Sequence, residues 1–135
     1  AAGVKSKIGA IGYAESAWFT SNNLGTALVQ NWAKEFVAPT AAATSAFLGG
    51  GTIEANGSVT TPYQKAIPGG YPIGTASYGL VYPEAAKKDA EKQKIVADWH
   101  TYLLEKCATK FPELGYIQIT GALYDKAKSQ IAKIK

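Results

Sequence analysis

The chain has 135 residues, of which 47% are hydrophobic and 18% charged, and its formal net charge is +4. This length and balance are typical of one globular domain and exclude an intrinsically disordered chain. No stretch approaches the roughly 18 consecutive apolar residues of a membrane-spanning helix, and Ala1–Lys5 does not have the pattern of a signal peptide. Because a leader is often removed upstream, these features assign no compartment by themselves.

All of the basic residues are lysines, and the chain contains no arginine. Arginine supplies the planar fork that binds phosphate or carboxylate through two parallel hydrogen bonds. The lysines alternate with acidic residues over residues 84–94 and 125–135, which is typical of a solvated helix face. No aromatic residues are interleaved with a basic run, so the sequence predicts no nucleic-acid partner.

In chain order, the first predicted element is a short strand over Lys7–Tyr13, which is apolar, β-branched and interrupted by glycines. Ala14–Phe19 is compatible with a turn of helix, and Ser21–Asn23 predicts a chain reversal. Apolar residues at every fourth position favour a helix over Leu24–Trp32, and a pair of short strands is the open alternative.

The next segment, Glu35–Thr40, is predicted to be extended and to end at a proline. Thr40 is a suitable N-cap for an alanine-rich helix over Ala41–Leu48, which Gly49 would end. Glycine, proline, serine and threonine then dominate Gly49–Gly70, which predicts a linker or a surface loop.

Tyr71–Tyr82 is rich in β-forming residues, and we predict a central strand there because both of its faces carry apolar or small residues. A long amphipathic helix is predicted from Pro83 to Thr109, with an apolar repeat at Ile95, Trp99, Leu103 and Cys107. Phe111–Gly115 ends this pattern, Tyr116–Ile119 reads as extended, and Thr120 is predicted to cap a last helix. The pattern as a whole predicts the α/β class.

Few residues suggest catalysis or metal binding. His100 is the only histidine, and we interpret it as structural; a base formed with Asp98 is the alternative. Cys107 is the only cysteine, so it forms no disulfide within the chain, and its place on an apolar helix face predicts a buried small hydrophobe. Gly49–Thr52 and Ile67–Gly70 match neither the P-loop nor the dinucleotide fingerprint. We therefore predict no enzyme, no cofactor and no metal site.

Several segments resemble, in order and spacing, the phosphate-binding periplasmic proteins of ABC phosphate transporters, which belong to the type II periplasmic binding proteins. Ile8–Ala17 is similar to the "G-x-I-G-Y-x-E-x-A" segment of that family, and Lys34–Thr40 is similar to its "G-K-x-V-x-P-T" segment. Tyr71–Tyr82 resembles its "W/Y-P-I…L-V" strand, and Lys94–Leu104 is a loose match to its "F-x-x-W" helix. Glu113–Ile119 resembles "L-G-Y-x-x-L-P", with Ile-Thr in place of Leu-Pro.

The resemblance implies a two-lobed α/β fold, with a mixed sheet flanked by helices in each lobe and a ligand cleft between the lobes. Only the C-terminal part of that fold would be present. Residues 1–66 would form the end of the second lobe. Residues 67–135 would form the return segment that completes the first lobe, with the final amphipathic helices.

Members of the family are more than twice as long, and the groups that hold their phosphate lie in the N-terminal half. Those groups are an early threonine-containing turn, a serine at a helix start, an aspartate and an Arg-x-x-x-Ser-Gly-Thr loop, none of which has a counterpart here. The resemblance thus implies a fragment of a solute-binding protein that captures inorganic phosphate. This half would supply lobe scaffold and hinge rather than the anion site.

The resemblance also implies partners and a location. The partners would be phosphate or a similar oxyanion bound through the missing N-terminal half, that half itself, and the membrane subunits of an ABC transporter. The location would be periplasmic, extracellular or at the cell surface. Tyr13, Glu15 and Ser16 follow a predicted strand and are the cleft-edge candidates for ligand contact, with capping or packing as the alternative. The alternative function is a stand-alone interaction or scaffold domain without anion binding.

Overall fold

The structure, a computed structural model, describes residues 1–82 and 89–135 of the chain. Within these ranges there are five α-helices, one 3₁₀ helix and two antiparallel sheets of two strands each. The α-helices are α1 (Ala2–Ser6), α2 (Ser16–Ser21), α3 (Ala41–Gly49), α4 (Ala90–Glu105) and α5 (Gly121–Ile131). The strands are β1 (Val29–Gln30), β2 (Phe36–Val37), β3 (Thr52–Ile53) and β4 (Val59–Thr60), and the 3₁₀ helix is Cys107–Leu114.

The chain is therefore a protein of mixed helix and sheet, which confirms the coarse prediction of its class. The two sheets are β1–β2 and β3–β4, each formed by strands that are adjacent in the chain. None of the helices in the described part of the chain is long and apolar enough to span a bilayer.

The strand predicted over Lys7–Tyr13 was wrong. The segment follows α1 and contains a turn at its start but no strand. Gly9 has φ = +79°, in the left-handed region, which interrupts an extended backbone. Ile8 and Ile11 are almost completely exposed to solvent. The predicted helical turn over Ala14–Phe19 is confirmed in α2, two residues further along the chain.

The predicted reversal at Ser21–Asn23 is confirmed, and Asn23 adopts φ = +53° there. The next segment forms the hairpin β1–β2, so the alternative pair of strands was right and the helix over Leu24–Trp32 was wrong. The hairpin turns at Lys34, whose φ is +67° and whose N–H donates to Asn31 O at 3.0 Å. The predicted extended segment before Pro39 contains β2.

A buried asparagine fastens this hairpin to the loop that precedes Tyr71. The amide Nδ2 of Asn31 lies 3.2 Å from both Ile67 O and Gly70 O and 3.1 Å from Glu35 Oε2. Its Oδ1 accepts the N–H of Glu35 at 3.0 Å. Glu35 Oε2 also accepts the N–H of Gly69 at 2.7 Å. We call this group of hydrogen bonds the Asn31 clasp.

Because the Asn31 clasp includes a carboxylate, it is expected to make the free energy of unfolding depend on pH in the acidic range. The N–H of Gly69, and next the Asn31 amide, hold the pKa of Glu35 below its ordinary value of 4.5. A carboxyl whose pKa is lower when folded contributes stability above its unfolded pKa, and that contribution is lost as the pH falls through the folded value. As the pH is lowered below 4.5, we expect the urea concentration at the unfolding midpoint to decrease more steeply in the natural chain than in Glu35→Gln. Equal pH slopes in the two proteins would contradict the clasp.

Helix α3 forms the centre of the small core. Thr40 caps it, as predicted, by accepting the N–H of Ala43 on its Oγ1 at 3.1 Å. Ala43 and Phe47 are buried, and the ring of Phe47 lies 5.6 Å from that of Tyr63. Tyr71 donates its N–H to Ala43 O at 3.0 Å, so the chain after the loop returns to the same helix.

The segment predicted as a linker or a surface loop contains the hairpin β3–β4. Its turn is closed by the N–H of Glu54 on Ser58 O at 2.8 Å and by Asn56 Oδ1, which accepts the N–H of Ser58 at 3.0 Å. Gly51 is required where the hairpin begins, because an added Cβ would lie 2.7 Å from Thr60 O. The composition was therefore a correct sign of turns but not of a free linker.

The central strand predicted over Tyr71–Tyr82 was also wrong, since the structure assigns no strand there. Individual hydrogen bonds hold Tyr71–Tyr82 in place instead. Tyr78 Oη accepts the N–H of Val59 at 2.9 Å, and Gln93 Nε2 donates to Tyr82 O at 2.8 Å. A central strand needs hydrogen-bonded neighbours on both sides, and the described residues supply none for this segment.

The long helix is confirmed as α4, which Asp89 caps by accepting the N–H of Lys92 at 2.9 Å. The predicted start at Pro83 lies outside the described residues, and the helix changes to 3₁₀ at Cys107 rather than continuing to Thr109. Cys107 is half-buried rather than buried.

The last predicted helix is confirmed as α5. Thr120 is its N-cap residue, but it makes no capping hydrogen bond through its side chain within the described structure. The segment predicted as extended, Tyr116–Ile119, is irregular.

The chain buries little of its surface. Its accessible surface is 9703 Å², whereas a compact monomer of 14.2 kDa exposes about 6,800 Å². The six residues outside the described ranges add at most about 900 Å² even when fully extended, which leaves an excess of roughly 2,000 Å². Among the described residues, the buried hydrophobic side chains are Ala43, Phe47, Ala108 and Ile134.

Candidate functional site

The three cleft-edge candidates lie at and just before the start of α2. Tyr13 is completely exposed. Glu15 is the N-cap residue of α2, but its side chain makes no capping hydrogen bond within the described structure. Ser16 is the one that makes a tertiary contact, because its Oγ donates to Gly115 O at 2.7 Å. These residues are neighbours in the chain, but their side chains do not meet at one point in the structure.

The Ser16 contact joins two segments that carry the family resemblance, Ile8–Ala17 and Glu113–Ile119. Gly115 ends the 3₁₀ helix with φ = +78°. A Cβ added there would lie 2.9 Å from both the Cβ and the N of Ala17, and 3.0 Å from Ser16 Oγ. Only glycine fits this position, because the backbone conformation and the close approach of α2 both exclude a side chain.

Gly115→Ala tests this close approach. We expect it to lower the free energy of unfolding by about 2–5 kcal/mol, since left-handed strain of about 1–2 kcal/mol is added to overpacking of about 1–3 kcal/mol. Gly69→Ala is the matched control, because Gly69 has φ = +68° and no atom within 4 Å of the added Cβ. Urea unfolding followed by circular dichroism measures both variants. Equal losses would show that α2 does not approach Gly115 as described.

A shallow cleft of about 420 Å³ runs beside these residues, between α2 and the 3₁₀ helix. Its walls are Ala17, Trp18, Thr20, Ser21, Pro112, Glu113 and Gly115. Among the described residues, the lining supplies two hydroxyls, an indole and a carboxylate but no cationic side chain. A phosphate dianion needs several convergent donors, and the carboxylate of Glu113 is already paired with Lys110 at 3.0 Å. The described lining is therefore not built as an anion site.

A second shallow cleft, of about 360 Å³, lies between α4 and the start of α5. Its walls include Leu104, Glu105, Gln118, Thr120 and Tyr124. Glu105 forms an ion pair with Lys128 at 3.3 Å, and the hydrogen bond that Lys128 donates to this carboxylate is the main cause that raises the pKa of Lys128. The lysine is therefore engaged with a carboxylate, and the donors that remain in the described lining are the uncharged side chains of Gln118, Thr120 and Tyr124.

The alternative catalytic pair, His100 and Asp98, engages different partners on α4. His100 Nδ1 lies 2.8 Å from Val96 O, and its Nε2 would lie 2.7 Å from a Cβ added at Gly79. Asp98 forms an ion pair with Lys94 at 2.6 Å. The structure thus packs His100 against the chain near Gly79 and holds the Asp98 carboxylate elsewhere. In the described residues, no group of three histidine, cysteine or acidic side chains is placed to hold a metal ion.

The described surface also carries an apolar feature on α4, which includes Ile95 and Trp99 of the predicted apolar repeat. On α4 the side chains of Ile95, Trp99 and Tyr102 are 61%, 54% and 52% exposed. Their spacing of four and three residues places them on one face, which we call the α4 stripe. At 100° of rotation per residue, Leu103 and Val96 lie 80–100° from Ile95, so the stripe is the exposed edge of one broad apolar face whose other edge is half-buried.

Comparisons with known proteins give no relative for this chain: no protein-family model, no curated protein and no solved structure matches it.

Proposed function

We propose that this chain is the C-terminal half of a two-lobed phosphate-binding protein that serves an ABC transporter. In this proposal the chain supplies lobe scaffold and hinge, and the N-terminal half holds the anion. Residues 1–66 belong to the second lobe, and residues 67–135 return to complete the first. Each lobe would contain a mixed sheet flanked by helices, completed by strands of the N-terminal half.

The observation that carries the proposal is the exposed surface. An excess of roughly 2,000 Å² over a compact monomer is the scale of an obligate interface rather than of a transient contact. Soluble monomers rarely expose contiguous apolar patches of more than a few hundred Å². A second folded half that packs on this chain would cover such a surface.

Two segments with strand-like composition are consistent with such a half. Lys7–Tyr13 and Tyr71–Tyr82 both resemble strands of the family, and neither is in a sheet in this structure. Ile8, Ile11 and Leu80 are almost fully exposed within them. Strands contributed by the N-terminal half would give these segments hydrogen-bonding neighbours and would cover their apolar side chains.

The chemistry of the two clefts agrees with an anion site located in the other half. Both clefts carry a carboxylate, Glu113 in one and Glu105 in the other. The chain has no arginine, and desolvated phosphate is usually held by convergent N–H groups together with an arginine. In this proposal, the present half of the protein therefore contributes to the scaffold rather than to anion binding.

The experiment is a comparison of phosphate binding by two proteins with isothermal titration calorimetry. One is the 135-residue chain, and the other is the natural protein expressed from its full reading frame. We expect saturable binding of inorganic phosphate by the natural protein and none by the 135-residue chain. Sulfate serves as the control anion and reports whether binding selects phosphate.

Two results would overturn the proposal. Saturable phosphate binding by the 135-residue chain would place an anion site where we propose scaffold. A natural protein that folds as a stable monomer or symmetric dimer but binds no oxyanion would instead support a stand-alone interaction domain. A periplasmic or cell-surface location and contact with transporter membrane subunits belong to the same proposal and fail with it.

A further inference from the structure

The turn between β3 and β4 joins an asparagine directly to a glycine. The chain contains four asparagines, and Asn56 is the one that precedes a glycine. Asn56 is exposed, and Gly57 has φ = +91° at the end of the turn. The Cγ of an asparagine and the backbone nitrogen of the next residue can close a five-membered ring, and glycine places no Cβ in the way. The chain can therefore react with itself at this position.

Two hydrogen bonds fold the Asn56 side chain over the next backbone nitrogen. Its Oδ1 accepts the N–H of Ser58 at 3.0 Å and the Oγ–H of Ser58 at 2.8 Å. Because Ser58 is two residues further along, this reach carries Cγ across the peptide unit that contains the Gly57 nitrogen. The two donors also stabilise the negative charge that develops on Oδ1 when Cγ is attacked.

One hydrogen bond opposes the attack. The N–H of Gly57 donates to Glu54 O at 3.0 Å, and this proton must leave before the nitrogen can bond to Cγ. The turn lies at the surface and Asn56 is exposed, so local opening of this bond uncovers few groups and costs little free energy. The bond therefore slows the attack but does not prevent it.

The other three asparagines lack this combination of features. Asn22 precedes another asparagine, and its Nδ2 is held by Trp18 O at 2.8 Å. Asn23 and Asn31 precede leucine and tryptophan, whose side chains obstruct ring closure. Asn31 is also buried. These residues are controls for Asn56 within the same molecule.

We propose that Asn56 is a site of spontaneous deamidation, which converts it to a mixture of aspartate and isoaspartate. The Gly57 nitrogen loses its proton and bonds to Asn56 Cγ, and Nδ2 leaves as ammonia, which takes up a proton. Water then opens the succinimide ring. Cleavage at Cγ gives aspartate, whereas cleavage at the main-chain carbonyl carbon gives isoaspartate, in which the chain continues through Cγ. The inference is independent of the proposed function, because the reaction uses only this turn and water.

Isoaspartate would change the contact between this turn and α5. Gln130 Nε2 donates to Ala55 O at 2.9 Å, and a Cβ added at Gly57 would lie 3.2 Å from Gln130 Cγ. The turn thus contacts Gln130 on both sides of Asn56. Isoaspartate adds one carbon to the backbone between Ala55 and Gly57, so we expect the turn to lose this contact. Aspartate leaves the backbone unchanged and keeps an oxygen for the two donors of Ser58.

The same three residues, Asn56–Ser58, also match the acceptor pattern of N-glycosylation. That modification requires a transferase and a sugar donor, and it substitutes the same Nδ2. Deamidation requires only water and groups that the turn itself holds in place, so the geometry favours deamidation.

The first test measures the loss of each side-chain amide in the natural protein expressed from its full reading frame. The protein is incubated at neutral and at mildly alkaline pH, and peptide mapping by mass spectrometry follows each asparagine. We expect Asn56 to react severalfold faster than Asn22, Asn23 and Asn31, and faster at the higher pH, because the attacking nitrogen must be deprotonated. Isoaspartyl methyltransferase is expected to label the product. Asn56→Gln is the control, because glutamine would have to close a larger ring.

The same measurement in guanidinium chloride shows what the fold contributes. We expect the rate at Asn56 in the folded protein to lie within about tenfold of the rate in the unfolded chain, since an exposed turn opens at low cost. An Asn56 amide that persists in the folded protein but is lost in the unfolded chain would overturn the inference, because the turn would then protect it. Equal rates at all four asparagines, or a glycan on Asn56 in the protein from its source, would also overturn it.

The second test concerns the contact with α5. The isoaspartate form is separated by chromatography and compared with Asn56→Asp, which carries the same charge on an unaltered backbone. We expect the NMR signals of the Gln130 side-chain amide to shift in the isoaspartate form and to stay in place in Asn56→Asp. The N–H of Glu54, which donates to Ser58 O at 2.8 Å, should exchange faster only in the isoaspartate form. Identical Gln130 signals in the two proteins would contradict the loss of this contact.

Discussion

Replacing Phe47 with alanine is expected to lower the free energy of unfolding by about 3–5 kcal/mol, the usual cost of deleting a buried aromatic ring. Phe47 is 3% exposed, and it is the largest buried hydrophobic side chain in the described part of the chain. It packs beside the ring of Tyr63, and its Cδ1 would lie 3.5 Å from a Cβ added at Gly74. The substitution would leave a cavity at the position of the ring. Few other buried side chains are present that could move to fill it.

The measurement is urea unfolding of the 135-residue chain, followed by circular dichroism. An osmolyte such as TMAO is added so that both the folded and the unfolded baselines are resolved. Phe36→Ala is the matched control, because the ring of Phe36 is 67% exposed and its removal is expected to cost about 0.5 kcal/mol or less. If the two phenylalanine variants lose equal stability, α3 does not form the centre of the core.

Asn31→Ala is expected to cost about 2–3 kcal/mol, because it leaves buried backbone groups without hydrogen-bonding partners. Asn31 is the buried polar residue of the described structure. Its removal deprives Gly70 O of a donor and the N–H of Glu35 of an acceptor, whereas Ile67 O keeps the N–H of Gly70 at 3.0 Å. Of the hydrogen bonds of the clasp between the hairpin and the loop before Tyr71, only the one from the N–H of Gly69 to Glu35 Oε2 would remain.

Asn56→Ala is the matched control for this change, since Asn56 is exposed and bonds only within its own turn, to Ser58. Its expected cost is about 1 kcal/mol or less. Amide hydrogen exchange gives a second measurement, because the N–H of Gly69 should lose protection in Asn31→Ala but not in Asn56→Ala. Unchanged protection of Gly69 in Asn31→Ala would show that the clasp does not hold this loop.

Local signals in the sequence predicted the helices and turns well. The alanine-rich run after Thr40 and the four-residue repeat around Trp99 gave α3 and α4, because capping and periodicity depend on neighbours in the chain. Phe111–Gly115 was predicted to end the helical pattern, but Phe111–Leu114 belong to the 3₁₀ helix, and the end comes at Gly115, whose φ is +78°.

The predicted strands were less successful, because a strand requires partners that local composition does not provide. Lys7–Tyr13 and Tyr71–Tyr82 have β-forming residues, yet neither has a neighbouring strand among the described residues. The pairs that do form, β1–β2 and β3–β4, join segments only a few residues apart. Their close spacing in the chain makes the loop-closure cost of pairing small.

The candidate site could be predicted only in part. Ser16 was placed correctly near the start of a helix, but its bond to Gly115 joins residues 99 positions apart and no local pattern indicates it. Ile95 and Trp99 were predicted on the apolar face of α4, and the structure adds that this edge of the face is exposed. The Asn31 clasp was not predicted, because an asparagine in a turn gives no sign of the carbonyl oxygen atoms of Ile67 and Gly70, which lie 36 and 39 residues away.

The most direct test of the central proposal is the intact mass of the natural protein purified from its source. If this chain is one half of a two-lobed protein, mass spectrometry will give a species of more than twice 14.2 kDa, or a second chain that copurifies with it. A single species near 14.2 kDa, monomeric in solution and stably folded, would contradict the proposal.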